Sequence, residues 1–151
     1  GFLIRLPNRH MQVAHLEPNH VSHIFRVIAV MAAELFAIVP AAAGASLRET
    51  ARNLALPGDR NRELDFHLSL ISWVNNRYLE KAYQQFLDGY ISYVILYLQQ
   101  DEQSSAILLQ ELAEGIEEGD RQKIDRATLR YFLSLAEIMH QHMREINDAE
   151  T

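Results

Sequence analysis

Glu63 and His67 stand four residues apart in the stretch GDRNRELDFHLSLISWVNNRYL, residues 58 to 79. On a helix that spacing puts both side chains on one face, a turn apart. A carboxylate and an imidazole so placed can share a metal, bind a small acid or pair with each other, and the spacing leaves all three open. A second acid–histidine pair, Glu137 and His140, has i, i+3 spacing, with His142 two residues on and pointing to another face. A di-iron carboxylate bundle needs Glu-x-x-His twice and two further inward glutamates, and within the stretches read as helices only Glu137 and His140 provide such a pair. His10, His15, His20 and His23 are scattered through a polar, irregular region that offers no fixed metal geometry, and they are read as solvated. The chain has no P-loop, G-x-G-x-x-G, H-E-x-x-H or nucleophile elbow.

The elements that must position these residues read as helices. Phe2 to Leu6, FLIRL, alternates like a short strand that Pro7 stops, and no other segment looks like a strand. From about Pro18 the apolar residues Ile24, Phe25, Ile28, Met31, Ala32 and Leu35 recur at three and four, with Asn19 or Ser22 as cap and Pro40 as stop. The Ala-rich stretch after Pro40 reads as a connection. Ser46 and Glu49 have capping-box spacing for a short helix to about Leu54.

Leu56 to Asp59 is a turn, and Asp59 caps a helix of about Arg60 to Val74 that carries Glu63 and His67. Asn75-Asn76 breaks the pattern. One longer helix is expected over about Arg77 to Leu98, its Tyr83, Tyr90 and Tyr97 at spacing of seven supplying either a dimer surface or core. A helix of about Ser104 to Glu118 follows, with Gly119 at its C-terminal cap, Asp120 capping the next, and a last helix of about Arg121 to Asn147. The expected fold is all-α, an antiparallel bundle of six to seven helices joined by short loops.

Composition narrows the function classes. At 151 residues the chain is long enough for one well-packed domain, and 48% hydrophobic against 23% charged residues is a globular balance. Fourteen Lys and Arg against 20 Asp and Glu give a net charge of −6, which argues against extensive phosphate contacts. The absence of cysteine excludes disulfides, thiolate metal sites and cysteine nucleophiles, and fits a reducing, cytoplasmic setting. Val27 to Ala45 is near membrane-spanning length, but Glu34 and Pro40 interrupt it, so a buried core helix and no membrane role are expected. The chain opens at Gly1 without a signal peptide pattern and is read as a piece of a longer protein.

Several of these features occur together in one known family. ELDFH (Glu63 to His67) is followed by Asn75-Asn76 and Leu79; LQELAEGIEEGD (Leu109 to Asp120) ends in Gly-Asp; FRVIAVMAAEL (Phe25 to Leu35) precedes both. In order and spacing the chain resembles, over about Val21 to Met143, the effector-binding C-terminal domain of the FadR subfamily of GntR-type bacterial transcription regulators, the FCD domain. That family commonly has D-x-x-F-H, then Gly-Asn and a Leu, so Phe66, His67, Asn76 and Leu79 match while Asn75 stands where Gly is usual. GFLIRLP resembles the last strand of the winged helix that precedes such domains.

The resemblance implies a lead-in and linker over residues 1–20, a helical effector-binding and dimerisation domain over 21–147 and a tail over 148–151. It also implies a divalent-metal site of one Asp and three His. Carried across by position, these four fall on Glu63, His67, Leu109 and Tyr131. Leu109 cannot ligate and a neutral tyrosine is a poor ligand, so no metal or other cofactor is expected, or at most a weakly held divalent ion.

The candidate ligand-binding residues are Arg26, Glu63, His67, Leu109 and Tyr131, with no catalytic residues. The implied function is non-enzymatic: a homodimer that senses a small organic acid or related metabolite, reaching operator DNA only through an N-terminal winged helix largely absent from this chain. Two rival readings are a dimerisation module whose pocket has degenerated and closed, and a metal-dependent helical-bundle enzyme using Glu63, His67 and His140.

Overall fold

The computed structural model describes residues 1–7, 11–13, 17–56, 59, 61–98 and 102–150, and for 11–13, 102 and 150 the backbone only. His10, His15, the Pro57-Gly58 turn and the start of a helix at Arg60 lie outside the described residues.

A hairpin of β1 (Leu3–Arg5) and β2 (Met11–Val13) opens the chain, antiparallel with Leu3 opposite Val13. β2 has no counterpart in the sequence reading, because a three-residue strand is too short for a period to register. Nor is the lead-in detached. Phe2 is fully buried against Phe25, Tyr90 and Tyr93, and its N–H donates to the Gly89 carbonyl at 3.1 Å. Burial of an aromatic side chain in such a pocket, together with that hydrogen bond, holds the hairpin to the helices.

Among the described residues six α-helices form the body: α1 (Pro18–Ala37), α2 (Gly44–Asn53), α3 (Asn61–Ser72), α4 (Arg77–Phe86), α5 (Glu102–Glu118) and α6 (Arg121–Glu150). α1 starts on Pro18, whose fixed φ suits the first turn; the preceding Glu17 makes no side-chain cap bond, so neither Asn19 nor Ser22 is the cap. α1 ends at Ala37, so Val27 to Ala45 is not one helix. It is also only half buried. Phe25, Ile28, Ala32 and Phe36 face the core, while Val27, Val30, Met31 and Ile38 face solvent. α1 is the one helix among the described residues long and apolar enough to cross a membrane.

A 3-10 turn (Ala41–Ala43) leads into α2, which begins at Gly44. Ser46 therefore lies inside the helix and not at its cap, its carbonyl accepting from the Thr50 hydroxyl. α2 crosses α5 at Gly44, where a Cβ would sit 2.6 Å from the Glu117 Cα. Only glycine permits that approach.

The expected caps at Asp59, Gly119 and Asp120 are present, and Asn76, expected only as part of a break, caps α4 as well. Asp59 Oδ1 accepts from the Asn61 N–H at 2.9 Å, and Asn76 Oδ1 accepts from the N–H groups of Tyr78 and Leu79. Gly119 sits at φ +66, and Asp120 Oδ1 accepts from the Lys123 N–H at the start of α6. Between α4 and α5 the long regular helix is replaced by two π-helical turns, Leu87–Ile91 and Val94–Leu98. Wider turns shift the register, so residues seven apart do not share a face. Tyr83 is buried, Tyr90 half-buried and Tyr97 exposed, and these tyrosines make no common dimer surface. α6 is the spine of the bundle: it packs along α1 and α5 and sends Tyr131, Phe132, Leu135 and Met139 into the core.

Candidate functional site

Three of the five sequence candidates meet in the core. α3 brings Glu63 and His67 to one buried face, 4% and 1% exposed, and α6 delivers Tyr131 between them. Tyr131 donates its hydroxyl proton to Glu63 Oε1 at 2.6 Å, and its oxygen lies 2.8 Å from His67 Nε2. With that proton committed to Glu63, the Tyr131 oxygen accepts from Nε2–H. His67 is then neutral, and its bare Nδ1 accepts from the Tyr83 hydroxyl at 2.7 Å. One tautomer thus completes a chain in a single direction, Tyr83 to His67 to Tyr131 to Glu63.

Burial strengthens this assignment. Desolvation lowers the His67 pKa from 6.5 to about 3, so the ring stays neutral. Desolvation likewise raises Tyr83, and it raises Tyr131 well above the usual phenol range, helped by the charge and hydrogen bond of Glu63. The rings pack as well as bond: His67 stacks on Tyr83, with centroids 6.0 Å apart, and tilts against Tyr131 and Phe132.

Tyr83 is the member that the sequence reading missed. Its spacing places it in the core or at a dimer surface, but nothing in that spacing links it to His67 across the Asn75-Asn76 turn. That turn sets the link. Asn75 adopts φ +54, a left-handed conformation that Asn tolerates better than most residues, and Asn76 then caps α4. The reversal folds α4 back over α3, sixteen residues after His67.

The other two candidates are not members of this hydrogen-bonded chain. Arg26 is exposed on α1, next to the buried Phe25, and is not part of the buried cluster. Leu109 is buried in the apolar core of α5. His140, a candidate ligand in the enzyme reading, instead bonds the Pro18 carbonyl and the Ser22 hydroxyl, tying α6 to the start of α1. His20 and His23 are exposed, as expected of solvated histidines.

The four positions that the family resemblance assigns to a metal do not suit one. Both His67 nitrogens are engaged by tyrosines, Tyr131 keeps its proton, and Leu109 has no donor atom. Among the described residues no three His, Cys, Asp or Glu side chains gather closely enough to hold an ion. What the cluster does chemically is fix tautomer and orientation, joining α3, α4 and α6 through one polar line in an apolar core.

No family model matches the chain, and neither a curated protein nor a solved structure is similar to it.

Proposed function

We propose that this chain is a dimerising, non-catalytic helical domain of the FCD type, from a cytoplasmic GntR-type transcription regulator, in which the inner effector site has closed. The observation that carries this reading is the Tyr83–His67–Tyr131–Glu63 chain. In the residue order described above, three of its members, Glu63, His67 and Tyr131, fall on positions where related domains would hold a metal, and together with Tyr83 they satisfy one another. A ligand entering there would have to displace a buried, directional set of hydrogen bonds without leaving its members unpaired, which is unfavourable. The left-handed Asn75, in the place where the family favours glycine, supports the same alignment.

On this reading the domain contributes pairing and rigidity to a longer regulator, and operator contact belongs to a winged helix outside this chain. The metal-enzyme alternative receives no support from His140, which is committed to the start of α1.

The test has two arms. Sedimentation equilibrium on the purified chain should show a concentration-dependent dimer; a monomer at every concentration sinks the dimerisation reading. Separately, Leu109→His combined with Tyr131→His would rebuild the four-donor set. A folded double variant should gain zinc or manganese binding by calorimetry where the parent chain has little. Failure of a folded variant to gain any would show that the positional correspondence is wrong.

A further inference from the structure

The inner cluster is closed, but a pocket of about 700 Å³ opens at another end of the bundle. It lies between the last π-helical turn, the start of α5 and the C-terminal half of α6, within the size range of small-molecule sites. Neither Glu63, His67 nor Tyr131 lines it, so it is independent of the inner cluster and of the function proposed above.

Its lining has a definite chemistry. Among the described lining residues the acids are Glu137 and Glu145, no Lys or Arg is among them, and the one histidine, His142, turns its Nε2 to the Tyr93 hydroxyl. Tyr97, 67% exposed, presents an aromatic wall, and Ile138 adds apolar surface. Ser134 and Gln141 lie with the two carboxylates on α6; the Ser134 hydroxyl donates to the Tyr131 carbonyl at 2.6 Å, and the Gln141 amide bonds Glu145 and Arg144. The carboxylates are not bare. Glu137 Oε1 accepts from Arg144 at 3.1 Å, and Glu145 Oε1 accepts from Gln141 Nε2 at 3.1 Å. Both contacts are exposed, and Arg144 does not line the pocket. Exposed pairs of this kind are weak and exchange readily with a competing cation.

The spacing narrows the ligand class. Glu137 and Glu145 are eight residues apart on one straight helix, an axial separation of about 12 Å. A cation bridging them needs terminal ammonium groups separated by an extended chain on the order of ten bonds at standard bond lengths. Its methylenes would lie over Ile138 and the Tyr97 ring, which also attracts a cation to its face. We infer that this pocket binds a linear aliphatic polyamine, its terminal ammonium groups on Glu137 and Glu145 and its chain against Tyr97.

Calorimetry on the intact chain at physiological salt tests this with spermidine as probe. Putrescine, too short to bridge, and magnesium, which carries charge without length, serve as controls. The expected result is saturable one-to-one binding of spermidine, at least about tenfold tighter than either control. Glu137→Gln, Glu145→Gln and Tyr97→Ala, all at exposed positions, should each weaken it by at least about threefold while the melting temperature holds. Asp65→Asn, an exposed acid outside the pocket, should leave the affinity unchanged. The inference is overturned if spermidine fails to saturate, if magnesium competes at equal concentration, or if Asp65→Asn weakens binding as much as the pocket variants, since each outcome means attraction to net charge alone. The inner-cluster and dimer tests do not depend on this result.

Discussion

Tyr131 is the hinge of the buried polar line, because it is the only member that both accepts from His67 and donates to Glu63. Removing its hydroxyl takes the acceptor from a buried imidazole N–H and a donor from a buried carboxylate. Tyr83 makes one such bond, to Nδ1. Tyr131→Phe is therefore expected to cost about 2–4 kcal/mol in urea unfolding, and Tyr83→Phe about 1–2 kcal/mol. The double variant should cost less than the sum, since the bonds are linked through one imidazole. Equal costs for the two single variants would contradict the directional chain. His67 adds a pH signature. Its folded-state pKa is lowered to about 3, against 6.5 in the unfolded chain, because burial disfavours the charged ring. Between those values the unfolded chain holds a proton that the folded chain does not. The stability owed to neutral His67 is thus complete above pH 6.5 and falls, as pH drops toward 3, by about 1.4 kcal/mol per unit. Between pH 7.5 and 5.0 the wild type should lose about 2 kcal/mol more than His67→Gln, which cannot titrate. Parallel losses in the two proteins would mean that His67 is not held neutral.

At the scale of elements, the caps and turns were legible where a single local interaction decides them. Asp59, Asn76, Gly119 and Asp120 each satisfy backbone groups within a few residues, so their chemistry is written in their immediate neighbours. The misreadings came where a tertiary contact overrides the local signal. Ser46 and Glu49 have capping-box spacing, yet α2 starts two residues earlier because Gly44 must meet the α5 backbone at Glu117. The π turns after α4 likewise have no local signature, and they undo the seven-residue tyrosine spacing that looked like a surface. The candidate site was half legible for the same reason. Glu63 and His67 share a helix face by spacing, whereas Tyr83 and Tyr131 arrive from α4 and α6. The Gly44 crossing gives its own prediction. Gly44→Ala would force α2 away from α5, since the added Cβ meets Glu117 backbone, which cannot swing aside as a side chain would. A loss of about 2–3 kcal/mol in denaturant unfolding is expected, although alanine is the better helix former. A stabilised Gly44→Ala would mean that the two helices are not in such close contact.

For the whole molecule, the unresolved demand is the outer face of α1. Val27, Val30 and Ile38 are each more than half exposed, and Met31 lies beside them, a stripe of apolar surface along one helix. A second copy of the same helix can cover that stripe. Arg26 and Glu34 each stand four residues from Val30, on opposite sides of it. Two α1 helices crossing antiparallel about a two-fold axis at Val30 bring each Arg26 toward the other copy's Glu34 while the valines and methionines meet between them. Glu34 already receives Arg121 at 2.6 Å, which holds its carboxylate at the rim of that face. A rim pair adds mainly register and specificity, and the apolar contact supplies the affinity. The dimer proposed above, if it pairs through this face, should be modest, with a dissociation constant on the order of micromolar. Arg26→Glu should shift sedimentation toward monomer by setting like charges against each other. Glu34→Arg should do the same, and the two changes together should restore the dimer by exchanging the partners. Val30→Glu, placing a charge on the axis itself, should abolish it in either background. Dimers that persist through Val30→Glu would locate the interface on another face and leave the α1 stripe without this partner.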